Sequence, residues 1–159
     1  MKKILVALLL TVGTPFFGQT DTIIKHNGEK TEINFIKIED NLIYYSLPGG
    51  FEENKISKHA VAQLNNKSKN NAQVISEKIQ ISKKSDSKKV IVLKPFETLG
   101  LTKAETISLF PAIAKGQPAP LAKELAEKRL KEKAAALGYS FIVIEANNQN
   151  ELKATTFTY

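Results

Sequence analysis

The chain has 159 residues, with 23 lysines and arginines against 16 aspartates and glutamates, a formal net charge of +7 and no cysteine. The missing cysteine excludes disulfides, a cysteine nucleophile and a lipid anchor on an N-terminal cysteine, so the fold must rest on its own core, a metal or a partner. The positive excess suits an anionic surface or an acidic partner, although much of it lies in one stretch that reads as a solvated linker.

Residues 1–19 read as an export signal. Lys2 and Lys3 supply the positive start, residues 4–12 form an apolar run, and Thr14-Pro15 stops any helix there. The run is shorter than the ~20 residues that cross a bilayer. Cleavage is expected near Gly18 and Gln19, with Phe16 standing where a small residue is usual. The expectation is a secreted or periplasmic protein with no later membrane span.

Residues 20–82 read as a small β-rich unit ending in a basic linker. Residues 22–26 are strand-like, Asn27-Gly28 is the dipeptide of a type I′ hairpin turn, and residues 32–39 form the returning strand. Alternation slips between Phe35 and Ile36, which predicts a bulge or burial on both faces. Asp40-Asn41 and Pro48-Gly49-Gly50 are further turns around the strand 42–46, and residues 51–56 and 60–64 complete about five strands. That spacing predicts a small antiparallel barrel-like unit, SH3-like or Sm-like in size. This string resembles a small β-module found behind signal peptides in exported bacterial envelope proteins, a resemblance that implies no activity.

Residues 65–71 and 83–89 are polar and basic, and residues 74–81 between them read as a strand. The boundary falls near residue 83, and residues 83–159 form a second, α+β unit. Residues 89–93 predict a buried strand. Thr102 and Glu105 have the spacing of a capping box, predicting a short helix to Phe110. Residues 116–120 connect to a long amphipathic helix over 121–137, whose inner face is Ala122, Ala126, Leu130, Ala134 and Leu137, with Leu121 and Leu125 beside it. Gly138 stops it, and strands at 139–146 and 152–159 flank a turn at 147–150. The order predicts a β-α-β-β layer and an α+β fold overall. Residues 121–144, an alanine-rich helix, Leu137-Gly138 and an apolar strand, resemble the YbjQ-like and RcsF-like envelope domains. That resemblance implies a fold and no functional residue; the cysteines and lipid anchor of RcsF-like proteins are absent.

No constellation points to catalysis. There is no Gly-x-Ser-x-Gly and no phosphate-cradling glycine loop. Glu52-Glu53 and Glu39-Asp40 are adjacent pairs, which point to opposite faces of a strand. His26 and His59 with Glu29 have the chemistry of a zinc site but no ligand spacing, so no metal and no cofactor is expected. A single arginine offers little base readout, so no nucleic-acid partner is expected either. Tyr44, Tyr45 and Phe51 cluster around one hairpin, either as the core of the unit, which is the commoner use of such residues, or as a candidate interaction patch. The expected function is a non-catalytic binding or structural module of the cell envelope, contacting an envelope protein or anionic surface component. The alternative is a periplasmic hydrolase or sugar-processing enzyme with its site between the two units.

Overall fold

The first sheet folds around a core drawn from all of its first five strands. The structure, a computed structural model, describes residues 20–67, 71–109, 119–145 and 152–159. The export signal, the end of the expected helix at Phe110, most of the 116–120 connector and the 147–150 turn lie outside the described residues. The strands are β1 (Asp21–Lys25), β2 (Lys30–Glu39), β3 (Leu42–Ser46), β4 (Asn54–Ser57), β5 (Val61–Asn66) and β6 (Asn71–Val74). They form one antiparallel sheet in the order β4-β3-β2-β1-β5-β6. Ile23, Ile33, Ile43, Ile56, Val61 and Leu64 meet in a single buried cluster. β2 makes this possible: its first half pairs with β1 and its second with β3. Within the second half the register shifts at Ile36, where alternation slips; of the two readings a bulge holds, since Ile36 is 47% exposed. Among the described residues the strands do not close into a barrel: β4 and β6 remain the two ends of the order.

Two turns exchange roles relative to expectation. At Asn27-Gly28 only Gly28 has positive φ, and Asn27 Oδ1 instead accepts the Glu29 N–H at 3.0 Å. The loop is too long for a two-residue turn, and the asparagine side chain organises it. Asp40 and Asn41 both take positive φ (48° and 62°) between paired Glu39 and Leu42, as a type I′ turn requires.

The second sheet has the order β7-β9-β10-β8. Its strands are β7 (Ile91–Val92), β8 (Thr102–Leu109), β9 (Phe141–Glu145) and β10 (Leu152–Thr158), with the helix α1 (Ala119–Ala136) between β8 and β9. β7 pairs parallel to β9 and the remaining pairs are antiparallel. The molecule is therefore α+β, with mostly antiparallel sheets and one long helix. The Thr102–Glu105 capping box is a correction: these residues open β8. The Glu105 N–H goes to Thr156 Oγ1 at 3.1 Å, and Thr156 Oγ1–H returns to the Glu105 carbonyl at 2.8 Å. This buried hydroxyl fills the place where the β8–β10 register shifts, and cross-strand pairing prevails over a local cap.

β9 is apolar from Phe141 to Ile144, and its first three residues are buried because both faces are covered there. Ile142 packs with Ala154, Val90 and the α1 residues Leu130, Ala134 and Ala135. Phe141 and Val143 point the other way, to Leu93, Ile79, Leu101 and Tyr159. Helix α1 stops at Gly138, φ +82°, as expected. Among the described side chains its inner face is Ala126, Leu130, Ala134 and Ala135; Leu137, expected on that face, is instead exposed, as are Leu121 and Leu125, and the Ala122 side chain lies outside those described.

The basic stretch is not simply a solvated linker. Residues 75–82 form no strand, yet Ile75 packs on the first core, Ile79 beside Phe141 and Ile81 near α1. Residues 84–89 form a 3-10 turn packed against α1. Asp86 holds it, accepting the Ser82 and Lys83 N–H groups at 3.1 and 3.3 Å and pairing with Lys89 at 3.1 Å.

Candidate functional site

The pleat of β3 separates two of the three patch residues. Tyr45 lies opposite Phe35, and both lean on the first core. Tyr44 faces out, with Lys37 and Lys55 Nζ 4.8 and 5.0 Å from its ring centroid. Register explains the sandwich: Tyr44 pairs with Lys37 on β2 and Lys55 on β4, so all three project from one face. Lysine ammoniums over a tyrosine face are held by the ring quadrupole. The following turn is fixed by Pro48, by Gly49 at φ +76° and by a Gly50 N–H to Leu47 carbonyl bond of 2.9 Å. It carries Leu47, 49% exposed, and leads into Phe51, 103% exposed. Along this hairpin Tyr44 and its two lysines face outward from the sheet, and Leu47 and Phe51 are exposed beyond the end of β3. Tyr45 is not among them.

The two histidines sit where the sheets meet. The His26 ring lies 4.6 Å from that of Tyr159, and the His59 ring 5.6 Å from that of Phe141. Phe141 and Tyr159 pack edge-to-face at 5.2 Å, so this column joins one sheet to the other. Tyr159 accepts the Ile79 N–H at 2.8 Å, and Ser140 Oγ–H donates to the Ile79 carbonyl at 3.1 Å, which pins the connector between them. Glu29, the third member of the imagined zinc set, instead pairs with Lys25 at 3.0 Å on the surface. Among the described residues no three metal-ligating side chains converge.

His26 Nε2 lies 2.8 Å from Ser76 Oγ, a spacing that resembles a serine–histidine dyad. The protons run the wrong way for one. The Ser76 hydroxyl donates to the Val61 carbonyl at 2.8 Å, so His26 Nε2 must carry the hydrogen that the serine oxygen accepts. A base activating a nucleophile needs the opposite arrangement. The pair joins β1, β5 and the connector.

Glu97 is the buried carboxylate here, 6% exposed, and the sequence reading missed it. Pro95 followed two residues later by glutamate is the available signal, since it marks the first turn of a helix. Burial works against its charge, but the Asn41 amide at 2.9 Å, the Lys94 N–H at 2.7 Å, the Lys94 charge and His59 together hold its pKa below the usual value. Both oxygens are thus occupied by structural donors.

Burial pushes the pKa of both histidines below 6.5, with Lys78 adding to the effect at His26; at His59 the pull of Glu97 does not reverse it, and Lys58 adds to the lowering. Each depressed pKa means that the unfolded chain binds protons which the folded chain refuses, so stability rises with pH in that window. Stability is therefore full above pH 6.5 and is lost as pH falls through the folded values, with Glu97 adding a further loss below its usual 4.5. Thermal melts between about pH 7.5 and pH 5 check this: the midpoint falls, and His59→Phe flattens the slope. A flat midpoint in the unmodified protein would show that the rings are not buried.

No family model matches the chain, and no curated protein or solved structure matches it.

Proposed function

We propose that this chain is an exported, non-catalytic binding or structural module of the bacterial cell envelope. In this reading the first sheet is a curled, barrel-like unit that presents Tyr44 and Phe51 to an envelope partner. The observation that carries it is Phe51, wholly exposed just beyond the Leu47–Gly50 turn, on the same hairpin as an outward-facing tyrosine flanked by two lysines. A folded chain gains nothing from holding a phenylalanine in water, and an apolar group rimmed by charge suits protein contact. The curled reading is supported by the single core shared by β1 to β5. Export is supported by the n-region and apolar run of residues 2–12, and β1 begins at Asp21, so cleavage near Gly18 removes none of the described elements. The enzyme alternative needs converging catalytic groups between the sheets, where Glu97 and Ser76 are already committed to structural bonds.

One experiment tests both halves. A photo-crosslinking residue at position 51 in the native cell is expected to yield a discrete adduct that Tyr44→Ala with Lys55→Glu abolishes, while circular dichroism stays unchanged. Mass spectrometry of the same material is expected to find the N-terminus within a few residues of Gln19. No adduct, or one indifferent to Tyr44 and Lys55, ends the patch reading; an intact Met1 ends the export reading. Tyr45→Ala, in contrast, is expected to destabilise by about 2–4 kcal/mol in urea melts, because it empties core contacts.

A further inference from the structure

The first half of α1 has a use that the core does not explain. Pro120, Leu121, Lys123, Glu124 and Leu125 are all exposed, and the first buried side chain among those described is Ala126. Leu121 and Leu125, 46% and 39% exposed, are one turn apart and share a face. Lys128 follows Leu125 by three residues and Arg129 by four, so two cations border this leucine at helical contact spacing, while Glu124 holds the corresponding place after Leu121.

Beside this stripe the 84–89 turn and α1 enclose an open groove of about 610 Å³, whose charged walls are four lysines, Lys88, Lys123, Lys128 and Lys131, against two glutamates, Glu124 and Glu127. Lys131 is paired with Glu127 at 3.0 Å and Lys84 with Glu132 at 3.2 Å. Lys88, Lys123 and Lys128 make no ion pair among the described residues. The helix carries five basic and three acidic side chains, and residues 83–89 add four lysines against one aspartate.

We infer that this face, the 84–89 turn with the first half of α1, seats on an anionic phospholipid surface. Charge complementarity selects a polyanion, since uncompensated lysines near an anionic leaflet are drawn to it. The two leucines select a bilayer over a soluble polyanion, because an apolar helix stripe flanked by cations gains by entering the boundary between headgroups and acyl chains. No helix of the described residues is long and apolar enough to cross the membrane, so the contact is peripheral. This inference does not depend on the partner proposed for Phe51: vesicles test it alone, and the Phe51 cross-link can fail without affecting it.

The test is flotation of the protein with vesicles, parent and variants side by side so that any contribution of residues 1–19 is common to all. Phosphatidylglycerol-rich vesicles are expected to bind the parent, pure phosphatidylcholine vesicles only weakly, and added salt to weaken the contact. Lys88→Glu with Lys123→Glu and Lys128→Glu is expected to lower affinity at least tenfold, given roughly fivefold per lysine at an anionic surface. Leu121→Ser with Leu125→Ser is expected to lower it as well, at an unchanged melting temperature. Equal binding of the parent to both vesicle types, or none, overturns the proposal. So does a leucine variant that binds like the parent, which indicates charge attraction alone. A leucine variant that melts early shows the leucines packed within the chain, and it overturns the proposal too.

Discussion

Phe141→Ala is expected to lower stability by about 3–5 kcal/mol, the range for emptying a large aromatic from a packed interior. Phe141 is fully buried at the start of β9 and touches Leu93 and Val143 on its own sheet's inner face. It also contacts His59 from the first sheet and Tyr159 from the chain's end. The cavity cannot collapse easily, because its walls are strands pinned by ladder bonds and by Tyr159, which also holds the connector at Ile79. Typical domains have only about 5–15 kcal/mol in total, so the variant should sit near the edge of folding. Urea denaturation monitored by circular dichroism measures the loss, and the His59 imidazole resonance should shift when its aromatic neighbour is removed. A loss under about 1 kcal/mol would show that the aromatic column is not a packed joint.

Gly100→Val is the second large effect, and it acts through backbone as well as packing. Gly100 has φ +83°, a region that costs a β-branched residue more than about 1 kcal/mol. A Cβ built there would lie 2.6 Å from Ile56 Cγ1, 2.8 Å from Ile56 Cδ1 and 3.4 Å from Ala60 Cβ. Next to it the Leu99 carbonyl accepts the Ser57 N–H at 2.8 Å, tying this loop to the outer edge of β4. Moving the loop to relieve the clash would break that bond and loosen Leu101, which packs both on the first core and with Phe141 and Val143. The combined cost is about 2–5 kcal/mol from strain and overpacking. Gly28→Ala is the control: the same sign of φ but open space around the Cβ, so only the backbone penalty remains. If both substitutions cost the same, the Ile56 contact is not what Gly100 serves.

Much of the first sheet was legible because its signals are local. The Phe35–Ile36 slip announced the bulge, Pro48-Gly49-Gly50 announced its turn, and Gly138 announced the end of α1. The Thr102–Glu105 reading failed because a three-residue spacing carries no knowledge of a partner strand, and β10 supplied one. The same blindness affected Asn27-Gly28, where loop length decided the turn. In the patch, the alternation rule already placed Tyr44 and Tyr45 on opposite faces. Which face was inward required Ile43 and Phe35 to be seen against the core.

By itself the sequence determined the α+β class, the long helix and the small turn-rich first unit, since hydrophobic periodicity and turn chemistry act over a few residues. Tertiary structure alone decided how the parts meet. Seats for His26, His59, Glu97 and Tyr159 at one junction depend on contacts between residues 50 or more positions apart, such as His26 with Ser76 and Asn41 with Glu97. The same holds for the basic stretch. Its composition looks like that of a solvated linker, but α1 packs against the 84–89 turn and both cores receive an isoleucine from the segment before it. Composition records the many lysines that stay in water; only the fold shows where the few apolar side chains among them go.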